Sequence, residues 1–184
     1  HLPWVKDQGS DISFEEAWLY EALWECYLPL YALCEDLARG EPEGPLLTLS
    51  LSPTLLAMLG SAQHRQRFER YADELGSALE REREQRPELA PAVSDHLARL
   101  GASRKTFERV GRDLPAALAT LHRQRVIELG TTAATHAFLP GLLSDAAARA
   151  QLRMGARYFQ RVTREHARTL WLPECGYDER LEHT

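Results

Sequence analysis

No stretch of this sequence reaches the eighteen or so consecutive apolar residues that a membrane-crossing helix needs, and no charged-then-apolar signal segment opens it. A membrane is therefore not expected as a partner. Cysteine is scarce: Cys26, Cys34 and Cys175 are odd in number and far apart, which speaks against a disulfide framework and a zinc knuckle and fits a reducing, cytoplasmic setting. Basic charge is not in excess. With a formal net charge of -5 the chain offers no broad field for a phosphate backbone, so nucleic acid is not expected either. The sequence also lacks a G-x-G-x-x-G turn, a P-loop, a nucleophile elbow and an H-E-x-x-H helix, and nothing in it calls for a cofactor. It has no internal repeat, no low-complexity tract and no boundary that divides it into independent domains. The chain opens on His1 without an initiator methionine and stops ten residues after Glu174, as expected of a cut piece.

What is present is ordinary in bulk. The 184 residues are 44% hydrophobic and 27% charged, enough to bury the core of one domain. Ser13 with Glu15 and Glu16 marks a helix start, and Trp18, Leu19, Ala22, Leu23, Cys26, Leu30 and Leu33 recur at helical spacing as one buried stripe, with a kink or break expected at Pro29. Residues 46–51 read as a strand covered on both faces, followed by a turn in which Ser52 caps a helix opened by Pro53. Helical spacing runs through 55–86, interrupted at Gly60-Ser61, and the alternating charges at 80–84 read as a solvated helix face. Shorter helices are expected at 92–100 and 104–111, and another at 114–124. Residues 125–130 read as the next strand. Ser144-Asp145 then opens a long helix rich in alanine and arginine, with Ala148, Leu152, Ala156, Phe159 and Val162 along one side. It leads into a last short strand at 168–172. Helices alternating with strands predict an α/β chain whose parallel strands are joined by right-handed crossovers.

Such a topology gathers the residues that follow each strand on one rim: 50–54, 131–136 and 174–177. The sequence Trp171-Leu172-Pro173-Glu174-Cys175-Gly176-Tyr177 places a carboxylate just where Pro173 stops strand pairing, with Gly176 permitting a sharp turn. Trp171 and Tyr177 bracket that acid with flat faces of the kind that stack on sugar rings. His136 lies on the same rim, either as a ligand-binding side chain or as a structural hydrogen-bonding residue. His1, His136 and Glu174 amount to three potential metal ligands, but no spacing requires a metal and none is expected. Cys175 reads as a small buried residue beneath the site.

Four stretches, in order, resemble motifs of glycoside hydrolase family 57: His1-Leu2-Pro3-Trp4-Val5, Leu47 through Leu55, Ala134-Thr135-His136-Ala137-Phe138-Leu139-Pro140 and Trp171 through Tyr177. The helix from Glu16 through Leu30 looks like the branch of that family that holds the 1,4-α-glucan branching enzymes. The resemblance implies a partial (β/α)7 barrel with parallel strands, residues 1–184 forming the N-terminal part of one catalytic barrel with a helical insertion at about 63–124. It implies a retaining mechanism with Glu174 as nucleophile, and His1, His136, Trp171 and Trp18 as substrate-binding side chains. His1 corresponds to the second histidine of a His-x-His motif. The implied substrate is an α-1,4-glucan such as amylose or glycogen, and the implied product an α-1,6 branch. The family's acid/base aspartate has no counterpart among these residues, so the chain alone is expected to be inactive. Within the enzymes the alternatives are 4-α-glucanotransferase and α-amylase; outside them, a non-catalytic carbohydrate-binding domain.

Overall fold

The computed structural model describes residues 3–6, 9, 11–40 and 42–183. They fall into two compact units, one containing residues 34–60 and 115–183, the other residues 5–33 and 61–114.

In the first unit, β1 (Thr48–Ser50) and β2 (Glu128–Gly130) pair in parallel with Leu49 opposite Leu129. The expectation of two covered faces for the first strand is corrected: Thr48 and Ser50 are exposed and Leu49 half-buried. Leu46 and Leu47, which suggested it, precede the strand. The paired triplet is polar, apolar, polar, the pattern of a strand with one covered face. The strand expected at 168–172 is reduced to one parallel bridge between Thr131 and Leu170, because Pro173 lacks the donor that would continue the pairing. Thr131 N–H donates to Thr169 O at 3.1 Å, and Trp171 N–H donates to Thr131 O at 2.8 Å.

The helices of this unit begin as their hydroxyls direct. Ser52 Oγ accepts from Leu55 N–H at 3.2 Å at the head of α3 (Pro53–Gly60), with Pro53 in the first turn. Residues 61–114 belong to the other unit and form α4 (Ala62–Gln85) and α5 (Ala90–Arg109), and this unit resumes in α6 (Leu114–Arg123). Ser144 Oγ accepts from Ala147 N–H at 3.2 Å and caps α7 (Asp145–Thr163). α7 packs beside α3 and buries Ala148, Gly155, Phe159 and Thr163. The predicted face through Ala156 is off by one position. Ala156 is exposed, and Gly155 takes the inner place because a Cβ there would lie 2.2 Å from the Thr132 carbonyl oxygen. Leu129, Ile127, Leu56, Met58, Leu139 and Phe159 are almost wholly buried and form the centre of this unit's core.

The second unit is helical. α1 (Phe14–Ala22) opens with a reciprocal cap in which Ser13 Oγ accepts from Glu16 N–H at 3.2 Å and Glu16 Oε2 accepts from Ser13 N–H at 2.9 Å. A π-helical turn (Leu23–Tyr27) follows, and the helix resumes as α2 (Leu28–Ala38). Of the kink or break expected at Pro29, the break is thereby corrected: the helix runs on through the proline. The wider turn just before the proline is one of the ways a helix accommodates an inserted irregularity without ending. The extra residue in that turn also shifts the buried stripe. Leu19, Tyr20, Leu23, Trp24, Leu28, Tyr31 and Cys34 are buried, whereas Trp18, Cys26 and Leu33 from the predicted stripe are exposed.

α5 is one helix rather than the two shorter ones expected, because Gly101 costs a helix only about 1 kcal/mol. Packing outweighs that: Val93, Leu100 and Phe107 are buried, and Phe107 meets Phe68 of α4 edge-on at 4.9 Å between ring centroids. The charge run on α4 is solvated as expected, with Arg83 paired to Glu80 and Arg86 to Glu82 across single turns. Deeper in the unit, Arg67 grips the fully buried Glu16 with both arms of its guanidinium, Nε at 2.5 Å from Oε1 and Nη2 at 2.7 Å from Oε2. No helix among the described residues is long and apolar enough to cross a membrane.

Candidate active site

Thr131, fully buried just past β2, joins three chain segments at one edge of the sheet. Its Oγ1 donates to Leu51 O at 2.9 Å, and its carbonyl accepts from Ser50 Oγ at 3.3 Å as well as from Trp171 N–H. The loop beyond it is pinned to α7 where Ala134 N–H donates to Gln151 O and Thr135 N–H to Gln151 Oε1, both at 3.0 Å. His136 follows with a left-handed backbone, φ 56°, its N–H donating to Ala133 O at 3.1 Å.

Across the bridge, Pro173–Cys175 form a tight 3-10 turn closed by Cys175 N–H to Leu172 O and Gly176 N–H to Pro173 O, both at 3.0 Å. Glu174 (φ 52°, ψ 24°) and Cys175 (φ 56°) are both left-handed, at an order of 1–3 kcal/mol each for residues that carry a Cβ. That strain re-aims the carboxylate. Glu174 stands 74% exposed, with Oε1 at 3.6 Å from His136 Nε2, while the His136 side chain is 14% exposed.

Two expectations about this turn are corrected. Cys175 is exposed rather than buried, since its left-handed backbone swings it outward. Gly176 has an ordinary backbone (φ −74°, ψ 110°), so it does not make the turn. Its role is close approach: a Cβ there would lie 2.4 Å and 2.8 Å from the ring of Phe138. The other edge of the same ring faces Gly141, at 3.1 Å from where its Cβ would stand. Phe138 is thus wedged between its own loop and the turn that holds Glu174, and sequence reasoning assigned it no such role. Gly176→Ala is expected to push the ring out and to cost about 1–3 kcal/mol, the usual range for overpacking, read from the urea midpoint of the chain.

The remaining predicted residues fall as follows. Trp171 is 59% exposed, three residues before the acid, and Tyr177 is 58% exposed, three after it, its hydroxyl bound to Glu182. Trp18 belongs to the helical unit, where it is 48% exposed and its ring lies tilted against Phe14. His1 lies outside the described residues. Asp178, the carboxylate nearest Glu174 in sequence, is bound through both oxygens by Arg180, whose hydrogen bonds hold its pKa below the usual value. A proton donor needs the opposite shift. Arg180 also faces Asp145 at 3.6 Å. Among the described residues, no three His, Cys, Asp or Glu side chains converge as metal ligands would.

Past the Thr131–Leu170 bridge the chain thus sets an exposed carboxylate beside an imidazole, with exposed aromatic residues three positions to either side of the acid. The family model of glycosyl hydrolase family 57 matches residues 1–184. The chain belongs to that family. It is 30% identical over 178 residues to the 1,4-alpha-glucan branching enzyme TK1436 of Thermococcus kodakarensis, a match covering 96% of this chain and 26% of that protein. The chain therefore spans about a quarter of its curated relative's length. Among solved structures, the TK1436 branching enzyme superposes with a TM-score of 0.86 at 28% identity, covering 95% of this chain and 32% of that one. The branching enzyme of Pyrococcus horikoshii gives 0.86 at 27% identity, covering 95% and 33%. The alpha-amylase AmyC of Thermotoga maritima, also of TM-score 0.86, is 29% identical and covers 100% and 35%. Mixed helices and parallel strands are thus shared with family 57 structures, and the match spans both His136 and Glu174.

Proposed function

We propose that this chain is the nucleophile-bearing part of an α-glucan branching enzyme. The observation that carries the reading is the strained Glu174 turn, which presents an exposed carboxylate 3.6 Å from His136 just past the Thr131–Leu170 bridge. In this reading residues 1–184 form the N-terminal part of one family 57 barrel, with residues 63–124 as a helical insertion, in a cytoplasmic protein whose cysteines stay reduced. The Glu174 carboxylate attacks the anomeric carbon of an α-1,4-linked glucose, and the bond from that carbon to O4 of the next glucose breaks. The departing oxygen takes its proton from a carboxylic acid, leaving a glycosyl ester on Glu174. The 6-hydroxyl of a second glucan then attacks the same carbon and returns a proton to that acid. Glu174 leaves as a free carboxylate, and the new linkage is α-1,6. His136 holds the attacking oxygen in line, and Trp171, Trp18 and His1 contact sugar.

The acid lies outside these residues. Asp178 and Asp145 are held by Arg180, and two carboxyl groups about 5 Å apart are needed for retention. A second reading, hydrolysis, is favoured by the likeness to AmyC, which spans the whole chain. The outcome depends on whether water or a sugar hydroxyl reaches the glycosyl ester. The longer protein carrying this chain, given amylose, is expected to form α-1,6 linkages, counted by debranching, with little rise in reducing ends. A rise in reducing ends without branches would assign it to hydrolysis. Changed chain length without either would assign it to α-1,4 transfer. The 184-residue chain by itself is expected to give none of these.

A further inference from the structure

α7 carries Arg149, Arg153, Arg157, Arg161 and, just past its end, Arg164, with no acidic residue between Asp145 and Glu165. At about 1.5 Å of rise per residue this cationic stripe runs roughly 22 Å. The first four stand at successive four-residue spacings, where like charges on a helix repel. None of the five has an ion pair among the described residues, whereas Glu165 is already held by Arg123. Other surface arginines, such as Arg83 with Glu80 and Arg104 with Asp73, are paired with carboxylates. In a molecule of net charge -5 the stripe concentrates positive charge on one helix, and that mutual repulsion costs helix stability unless an anion answers it.

The stripe ends in a hollow of about 320 Å³, open to solvent and lined by Arg157, Gln160, Arg161 and Arg164. Three arginines and one glutamine line it, and no acidic residue does. Arg161 is steadied by the Tyr158 ring, with its guanidinium carbon 4.7 Å from the ring centroid. Arg164 is fixed in a left-handed helix cap at φ 63°, its N–H bound to Gln160 O at 2.9 Å, and the Gln160 amide is set by a 3.1 Å contact to His166 Nε2. Planar guanidiniums match the tetrahedral oxygens of phosphate in bidentate fashion, and three of them suit a dianion better than a singly charged carboxylate.

We propose that this hollow binds a phosphate ester of about sugar-phosphate size, at a site separate from Glu174. The phosphate has two possible sources, a free sugar phosphate and phosphate groups esterified to a glucan chain. Titrating the chain with inorganic phosphate and with glucose 1-phosphate by calorimetry is expected to give saturable binding that weakens with added salt. Arg157→Gln and Arg161→Gln are each expected to weaken it about tenfold or more, the scale of a lost charge-assisted hydrogen bond, while Arg81→Gln on α4 leaves it unchanged. In phosphate-free buffer Arg157→Gln is expected to raise the thermal midpoint, since it removes repulsion. A phosphorylated glucan compared with the same glucan after phosphatase treatment tells the two sources apart. Acetate or chloride binding as tightly at equal ionic strength would overturn the proposal. So would unchanged affinity in both α7 variants, or a lowered midpoint accompanying lost binding, which would make the arginines structural.

Discussion

Glu174→Gln, made in the longer protein that carries this chain, is expected to lower the rate of glycosyl transfer roughly 10^3-fold or more while leaving the fold intact. The amide is isosteric with the carboxylate but has no anionic oxygen to bond the anomeric carbon. The side chain is mostly exposed, so the exchange removes little packing. His136 at 3.6 Å loses an anionic neighbour and gains a neutral one of the same shape. A uniform loss of binding would appear as a raised KM with kcat retained; loss of the attacking group appears in kcat. Replacement by alanine permits a sharper check. With α-glucosyl fluoride as donor and azide in solution, azide occupies the face left by the carboxylate, forms the carbon–nitrogen bond as fluoride departs, and yields the β-azide. An α-azide would show that the nucleophile is still present and that Glu174 acts as acid or base.

Much of the scaffold was legible because its signals are local. Ser13, Ser52 and Ser144 each cap a helix within three residues of where their hydroxyls stand, and Pro173 ends strand pairing wherever it occurs. The same local logic placed Glu174 just past the end of strand pairing. What escaped depends on phase or on distance. The π-helical turn inserts a residue that no composition marks, so past it burial falls on Leu28, Tyr31 and Cys34 instead of Leu30 and Leu33. Gly155 and Gly176 look like a weak helix residue and a turn residue. Their function is to let the Thr132 carbonyl and the Phe138 ring approach, which only tertiary contact reveals. The left-handed backbone fell on Glu174 and Cys175 instead of the neighbouring glycine, because the turn begins at the proline. The partner of Glu16 lies 51 residues away, beyond any local pattern.

That partner sets the largest expected effect on stability. Arg67→Ala is expected to cost about 3–5 kcal/mol, because it strands a buried carboxylate rather than merely deleting a contact. Glu16 is fully buried, and the Arg67 side chain is 13% exposed. Arg67 also donates to Asp11 O at 2.6 Å and Gly9 O at 3.2 Å, so the loop entering α1 loosens with it. Burial, the largest single influence on Glu16, pushes its pKa up; the Arg67 hydrogen bonds and charge and the Ser13 N–H together bring it below 4.5. A carboxyl group whose folded pKa is lowered stabilises fully above its unfolded pKa, and that contribution fades as pH falls through the folded value. In Arg67→Ala burial is no longer answered by a cation, the folded pKa rises above the unfolded one, and the contribution of Glu16 fades instead as pH rises. The stability difference between wild type and variant, read from urea unfolding, should therefore widen from pH 3 to pH 7. A gap that stays constant would mean that Arg67 acts through packing and the loop carbonyls alone. Glu16→Leu combined with Arg67→Met removes both charges and should recover most of the loss, since an apolar pair of similar volume leaves no buried ion to stabilise.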